Sequence, residues 1–136
     1  MKRETALLAL VFSTAVVAVA PAWGDYSAGR AAYLTGNYGR ALKEYMADQS
    51  PKAMYEVGYM YAHGEGTAKD EKVAAEWYRK SAEKGFVLAQ YRLAGLYANG
   101  VGVEKDLKEA AKWYKMAADK GFQPAKDALK RLEQAK

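Results

Sequence analysis

Two stretches of the chain share one hydrophobic rhythm. Ala74, Trp77, Tyr78, Ser81 and Ala82 fall at i, i+3, i+4, i+7 and i+8, and Ala110, Trp113, Tyr114, Ala117 and Ala118 repeat that spacing. At 3.6 residues per turn each set forms one face of small and aromatic side chains, with the intervening charges left to solvent. Trp77 and Trp113 are therefore expected to be buried alike. Asp70 and Asp106 stand just ahead of these helices, where a carboxylate can accept from the first free amides, and Glu109 gives Asp106 the spacing of a reciprocal capping box. Lys84-Gly85-Phe86 and Lys120-Gly121-Phe122 close them with a cation, a glycine for the left-handed cap and an apolar residue that folds back.

A partner helix precedes each. From about Pro51 to Ala62 the inward positions are Met54, Val57, Gly58 and Tyr61, and from about Val87 to Ala98 they are Gln90, Leu93, Ala94 and Tyr97. Ser50 serves as cap with Pro51 at the first helical position. His63-Gly64-Glu65-Gly66 and Asn99-Gly100-Val101-Gly102 read as turns between antiparallel helices. Shifting the chain by 36 residues lays Ala53–Leu88 on Ala89–Pro124 with 17 of 36 positions identical, and a period of this size marks a repeat array.

Flanking pieces extend the array. Gly29, Gly36-Asn37-Tyr38, Ala41 and Tyr45 outline a shortened pair with helices over about Tyr26–Thr35 and Tyr38–Asp48. Pro124–Ala135 reads as a last helix with Ala125, Ala128, Leu129 and Leu132 inward and lysines outward, as a capping element requires.

The residues resemble the Sel-one-like repeats, a subclass of the tetratricopeptide-like α-solenoids. Their pattern is met by Ala89, Leu93-Ala94, Tyr97, Gly100-Val101-Gly102, Ala110, Trp113-Tyr114 and Ala118 with Gly121. It is met again by Ala53, Val57-Gly58, Tyr61, Gly64-Glu65-Gly66, Ala74, Trp77-Tyr78 and Ala82 with Gly85. The resemblance implies an all-α fold, a short right-handed α-solenoid of antiparallel helix pairs. Its segments are a signal peptide over 1–24, a degenerate tetratricopeptide-like pair over 25–50, repeat units over 51–86 and 87–122, and a C-terminal capping helix over 123–136. Many exported relatives carry a cysteine pair in each unit, and this chain has no cysteine.

The first twenty-four residues change the cellular picture. Lys2 and Arg3 precede an uncharged apolar run from Ala6 to Ala20, followed by Pro21 and small residues, the layout of a secretory signal. That run is short for a membrane span of roughly 20 residues. Ala22 and Gly24 supply the small residues that cleavage before Asp25 needs; a retained anchor is the competing reading, and a lipoprotein is excluded because no cysteine follows. The expected location is periplasmic or secreted, with no stable membrane insertion of the mature chain. Removing Lys2, Arg3 and Glu4 lowers the net charge only from +5 to +4. Without disulfides, stability has to come from packing.

Catalytic chemistry finds no foothold in this sequence. His63 is the only histidine and sits in a glycine-rich turn, so neither a metal site nor acid–base work is expected. Gly64-x-Gly66 and Gly100-x-Gly102 follow no strand and lack the remainder of a phosphate loop. No cofactor is implied. The basic balance does not point to nucleic acid, because lysines alternate with acids, as in Glu71-Lys72, Glu83-Lys84 and Lys108-Glu109.

What the resemblance implies instead is a non-catalytic scaffold for a protein or peptide segment of the cell envelope or host. It places Tyr26, Arg30 and Tyr33, then Tyr55, Tyr59 and His63, then Tyr91, Gly95 and Asn99 along the concave side. Tyrosine and arginine suit peptide recognition. Tyr55 and Tyr91 recur in register and can equally serve inter-unit packing, whereas Tyr59 has Gly95 as its counterpart in the other unit, so the scaffold does not require an aromatic there. Self-association and contact with an anionic envelope polymer through Lys126, Lys130, Arg131 and Lys136 are the alternatives.

Overall fold

The computed structural model describes residues 25–135, and the segment read as a signal peptide lies outside the described residues. Among the described residues seven helices follow one another: α1 (Tyr26–Leu34), α2 (Tyr38–Ala47), α3 (Pro51–His63), α4 (Glu71–Glu83), α5 (Val87–Asn99), α6 (Leu107–Asp119) and α7 (Gln123–Gln134). No strand occurs among the described residues. Helices α1 and α2, α3 and α4, and α5 and α6 pack as hairpins; α2 against α3, α4 against α5 and α6 against α7 join them into one α-solenoid.

Local chemistry explains the helix limits. Ser50 Oγ accepts from the Ala53 amide with Pro51 in the first turn, and the Asp70 and Asp106 carboxylates each accept two amides of α4 and α6. The reciprocal half of the capping box at Asp106 is not formed. The Asp106 amide instead donates to the Tyr97 carbonyl at 2.9 Å, as the Asp70 amide does to Tyr61, so the loop itself satisfies the donor that Glu109 would have taken. Glu109 pairs with Lys112 on its own helix. At the other end, Phe86 donates to the Ser81 carbonyl and Gly85, at φ 89°, to that of Ala82, the double bond of a Schellman cap.

The core divides into two clusters. Ala32, Ala41, Leu42, Tyr45, Ala53, Val57 and Met60 pack toward the N-terminal end, and Ala82, Ala89, Leu93, Ala94, Trp113, Tyr114 and Ala125 toward the C-terminal end. Trp113 is buried at 6% exposure, but Trp77 is only half-buried, which corrects the expectation that the two are equivalent. The helices that precede them differ in length. Helix α2 has 10 residues against 13 for α4, so unit one has a shorter second helix before it than unit two.

Candidate functional site

The first helices α1, α3 and α5 carry an internal register that assigns their tyrosines. Tyr26, Tyr55 and Tyr91 each pack on a tyrosine of their own second helix, with ring centroids 5.3 Å apart for Tyr26–Tyr45, 5.5 Å for Tyr55–Tyr78 and 5.7 Å for Tyr91–Tyr114. Three residues further on stand Gly29, Gly58 and Ala94, all buried. A Cβ at Gly29 would lie 2.7 Å from the Tyr45 ring, and one at Gly58 2.9 Å from that of Tyr78. The glycine and the ring share one space. Phe86 and Phe122 then meet Tyr55 and Tyr91 edge-on, each at 5.3 Å. Tyr26, Tyr55 and Tyr91 thus serve packing with one flank and remain half-buried on the other.

The positions that vary between units behave differently. Tyr59 is half-buried and stacks on His63 at 4.0 Å, with the His63 Nδ1 2.8 Å from the Tyr59 carbonyl. His63 is the last residue of α3 and not a turn residue, because Gly64, at φ 67°, takes the left-handed cap. In unit two the same places hold Gly95 and Asn99, whose amide donates to the Gly95 carbonyl at 2.9 Å and so stays on its own helix. Arg30, in register with Tyr59 and Gly95, is exposed.

Tyr33 brings the first pair into this neighbourhood. Its ring lies 5.1 Å from Tyr38. Burial first, then the Glu65 carboxylate beside it, hold its hydroxyl well above the usual phenol range, with smaller contributions from Tyr59 and Tyr38. One Glu65 oxygen, Oε2, is buried with no hydrogen-bond partner. Tyr33, Tyr59, His63 and Glu65 therefore gather at the junction of the first pair with unit one; Tyr91, Gly95 and Asn99 stay on α5.

Two further residues on this row were not singled out from the sequence. Glu56 accepts from the Tyr26 hydroxyl at 3.1 Å, and burial followed by Glu56 pushes Tyr45 up to about 12. Arg92, one period later, lies beside the Tyr55 hydroxyl, whose oxygen, with those of nearby phenols, raises the guanidinium above its ordinary value against its own desolvation. A carboxylate between α1 and α3 is thus replaced by a guanidinium between α3 and α5. Comparing the mismatched positions of the two units, Glu56 with Arg92 and Glu65 with Val101, would have found both.

No group of three or more His, Cys, Asp or Glu side chains among the described residues could hold a metal ion. Cavities also open elsewhere among the described residues. A polar one of about 520 Å³ includes Arg79, Tyr97, Glu104 and Asp106, and an apolar one of about 510 Å³ opens between α6 and α7.

The Sel1 repeat model matches residues 51–86 and 87–122. The chain has no match among curated protein sequences. Among solved structures it is similar to the Sel1 repeat protein from Oxalobacter formigenes, with 34% identity and a TM-score of 0.76 over 79% of this chain and 46% of that one. It is also similar to a protective antigen present in uropathogenic Escherichia coli strains displaying an SLR fold, with 31% identity and a TM-score of 0.73 over 76% of this chain and 24% of that one. The chain thus spans less than half the length of either. Helicobacter pylori cysteine rich protein B shares the fold at 24% identity and a TM-score of 0.63, over 65% of this chain and 69% of its own.

Proposed function

We propose that this chain, which belongs to the Sel1 repeat family, is an exported non-catalytic scaffold that holds a segment of a protein partner on its concave first-helix face. Sel1 repeats typically mediate protein–protein interaction, and the family is generally non-catalytic. The observation that carries the finer reading is the difference between the units. Tyr59, His63 and Glu65 in unit one stand where unit two has Gly95, Asn99 and Val101, so the repeat folds without them. They gather with Tyr33 of the first pair, and Arg30 lies exposed on the same helix as Tyr33. A mixture of half-buried phenols and exposed charge suits a peptide backbone and its polar side chains. Tyr26, Tyr55 and Tyr91 supply the rigid floor of this groove, and Asn99 its far end.

In-cell photo-crosslinking with a probe at position 59 and a control probe at Lys43, exposed on α2, tests this. Capture of a defined protein from position 59 alone, lost on Arg30→Ala, supports the groove. Equal capture from both positions removes it. Export is tested separately by N-terminal sequencing of the protein recovered from the cell envelope or medium, where a mature start at Asp25 is expected.

A further inference from the structure

The repeat contains its own rule for what covers a first helix. In each internal junction the second glycine of the loop lies on the first residue of the preceding unit's second helix. A Cβ at Gly66 would stand 2.6 Å from the Tyr38 carbonyl oxygen, and one at Gly102 2.1 Å from that of Glu71. Tyr38 and Glu71 open α2 and α4; the residue that opens α6 is Leu107, which is 48% exposed. Helix α7 stands in the register of a first helix, since Ala53, Ala89 and Ala125 are one period apart and all fully buried. Four residues on, Val57 and Leu93 are fully buried, each beneath the second helix of its own unit. Their counterpart Leu129 is only half-buried. With Leu107, Ala111 and Leu132 it lines the apolar cavity of about 510 Å³. Among the described residues no second helix covers α7.

Lys108 and Glu133 are the charged residues that line this groove, and further lysines follow the outer flanks of both helices. Lys108, Lys112 and Lys115 follow one flank of α6 at helical spacing, and Lys126 and Lys130 one flank of α7. Lys112 and Lys115 are partly met by Glu109 and Asp119, and Glu133 is the one acidic residue lining the cavity. A second copy of the chain would bring lysines against lysines.

We infer that the groove between α6 and α7 receives an amphipathic helix of another protein, with small and aromatic residues at i, i+3, i+4 and i+7 and acidic flanks. It would lie antiparallel to α7, as α4 lies to α3 and α6 to α5. Apolar anchors in a helical groove give the affinity, and the lysines beside it select the charge of the flanks.

The test uses the full chain and two fluorescent synthetic helices that share an Ala-x-x-Trp-Tyr-x-x-Ala-Ala face, one with glutamates on both flanks and its twin with lysines. Saturable binding of the glutamate helix by anisotropy is expected, with the lysine twin at least about tenfold weaker. Leu107→Glu replaces an already exposed side chain and should leave the circular dichroism unchanged while weakening the glutamate helix about tenfold. Lys108→Glu should narrow the preference between the twins, and Tyr59→Ala should change neither. Equal binding of both helices, binding of neither, or indifference to Leu107→Glu overturns the inference. So does a dimer in sedimentation that Leu107→Glu dissolves, which assigns the groove to a second copy. Uptake by anionic phosphatidylglycerol vesicles that Leu107→Glu abolishes assigns it to a membrane surface instead.

Discussion

Units one and two share 17 of 36 residues, among them the helix caps and the Trp-Tyr pair, and end in different surroundings. Trp77 and Trp113 occupy one register, yet Trp113 belongs to the core that includes Ala82 of α4, while Trp77 follows a second helix three residues shorter and is half-buried beneath Lys80, whose ammonium lies 4.3 Å from its ring. Lys120 donates to the Gly85 carbonyl across the junction at 2.6 Å, and both it and Lys84 are exposed. Met54 and Gln90 are both buried, but the Gln90 amide gives only its NH₂, to the Ala82 carbonyl at 3.1 Å, and its oxygen has no partner. A repeated sequence therefore specifies a repeated helix pair. The strength of each pair depends on its neighbour, as expected of a stack whose stability is a sum of unit and interface contributions.

The largest test of this comparison is at the tryptophans. Trp113→Ala should cost about 3–5 kcal/mol, the range for deleting a buried large aromatic, and Trp77→Ala about half as much. Urea unfolding of the two variants measures the difference, and equal losses would mean that the shorter α2 does not matter. Next comes the junction glycine. Gly102→Ala combines a positive φ of 68° with a carbonyl in the way and should cost about 2–4 kcal/mol, whereas Gly121→Ala, at φ 86° with open space around it, should cost about 1–2 kcal/mol. Thermal melts of the pair separate backbone strain from collision.

A smaller effect is expected from exchanging the units' buried residues. Gln90→Met removes an unpaired buried oxygen and should stabilise by about 1 kcal/mol, and Met54→Gln should destabilise by about 1–3 kcal/mol, both read from denaturant midpoints. The gentlest test is alkaline. Tyr45 has its hydroxyl raised from 10.0 to about 12, so the folded state holds the proton after the unfolded chain has released it. The stability this phenol carries is complete below pH 10 and lost as pH rises toward 12. Phenolate absorbance should therefore rise together with the loss of helical circular dichroism in this window, and Tyr45→Phe should delay it.

Much of the fold was legible because its determinants are local and repeated. Asp70, Asp106, Ser50-Pro51 and the two Lys-Gly-Phe stops mark helix ends through chemistry within a few residues. The first pair was legible through Gly29 and Tyr45, and the structure shows why both are needed, since the ring fills the space beside the glycine. The candidate surface was less legible. The family resemblance placed Tyr26, Tyr55 and Tyr91 on this side, where each packs on its own second helix, and it passed over Glu56, Glu65 and Arg92, which differ between units or from the first pair.

By itself the amino-acid sequence determined the helix pairs, their period and their family, because capping, glycine turns and a 3.6-residue face act within one helix or one hairpin. Tertiary structure alone decided which of two identical tryptophans is covered, which carboxylates meet which phenols, and that a groove opens at Leu107 and Leu129. Those outcomes depend on what the neighbouring unit brings to each face, and a residue's own register does not carry that information.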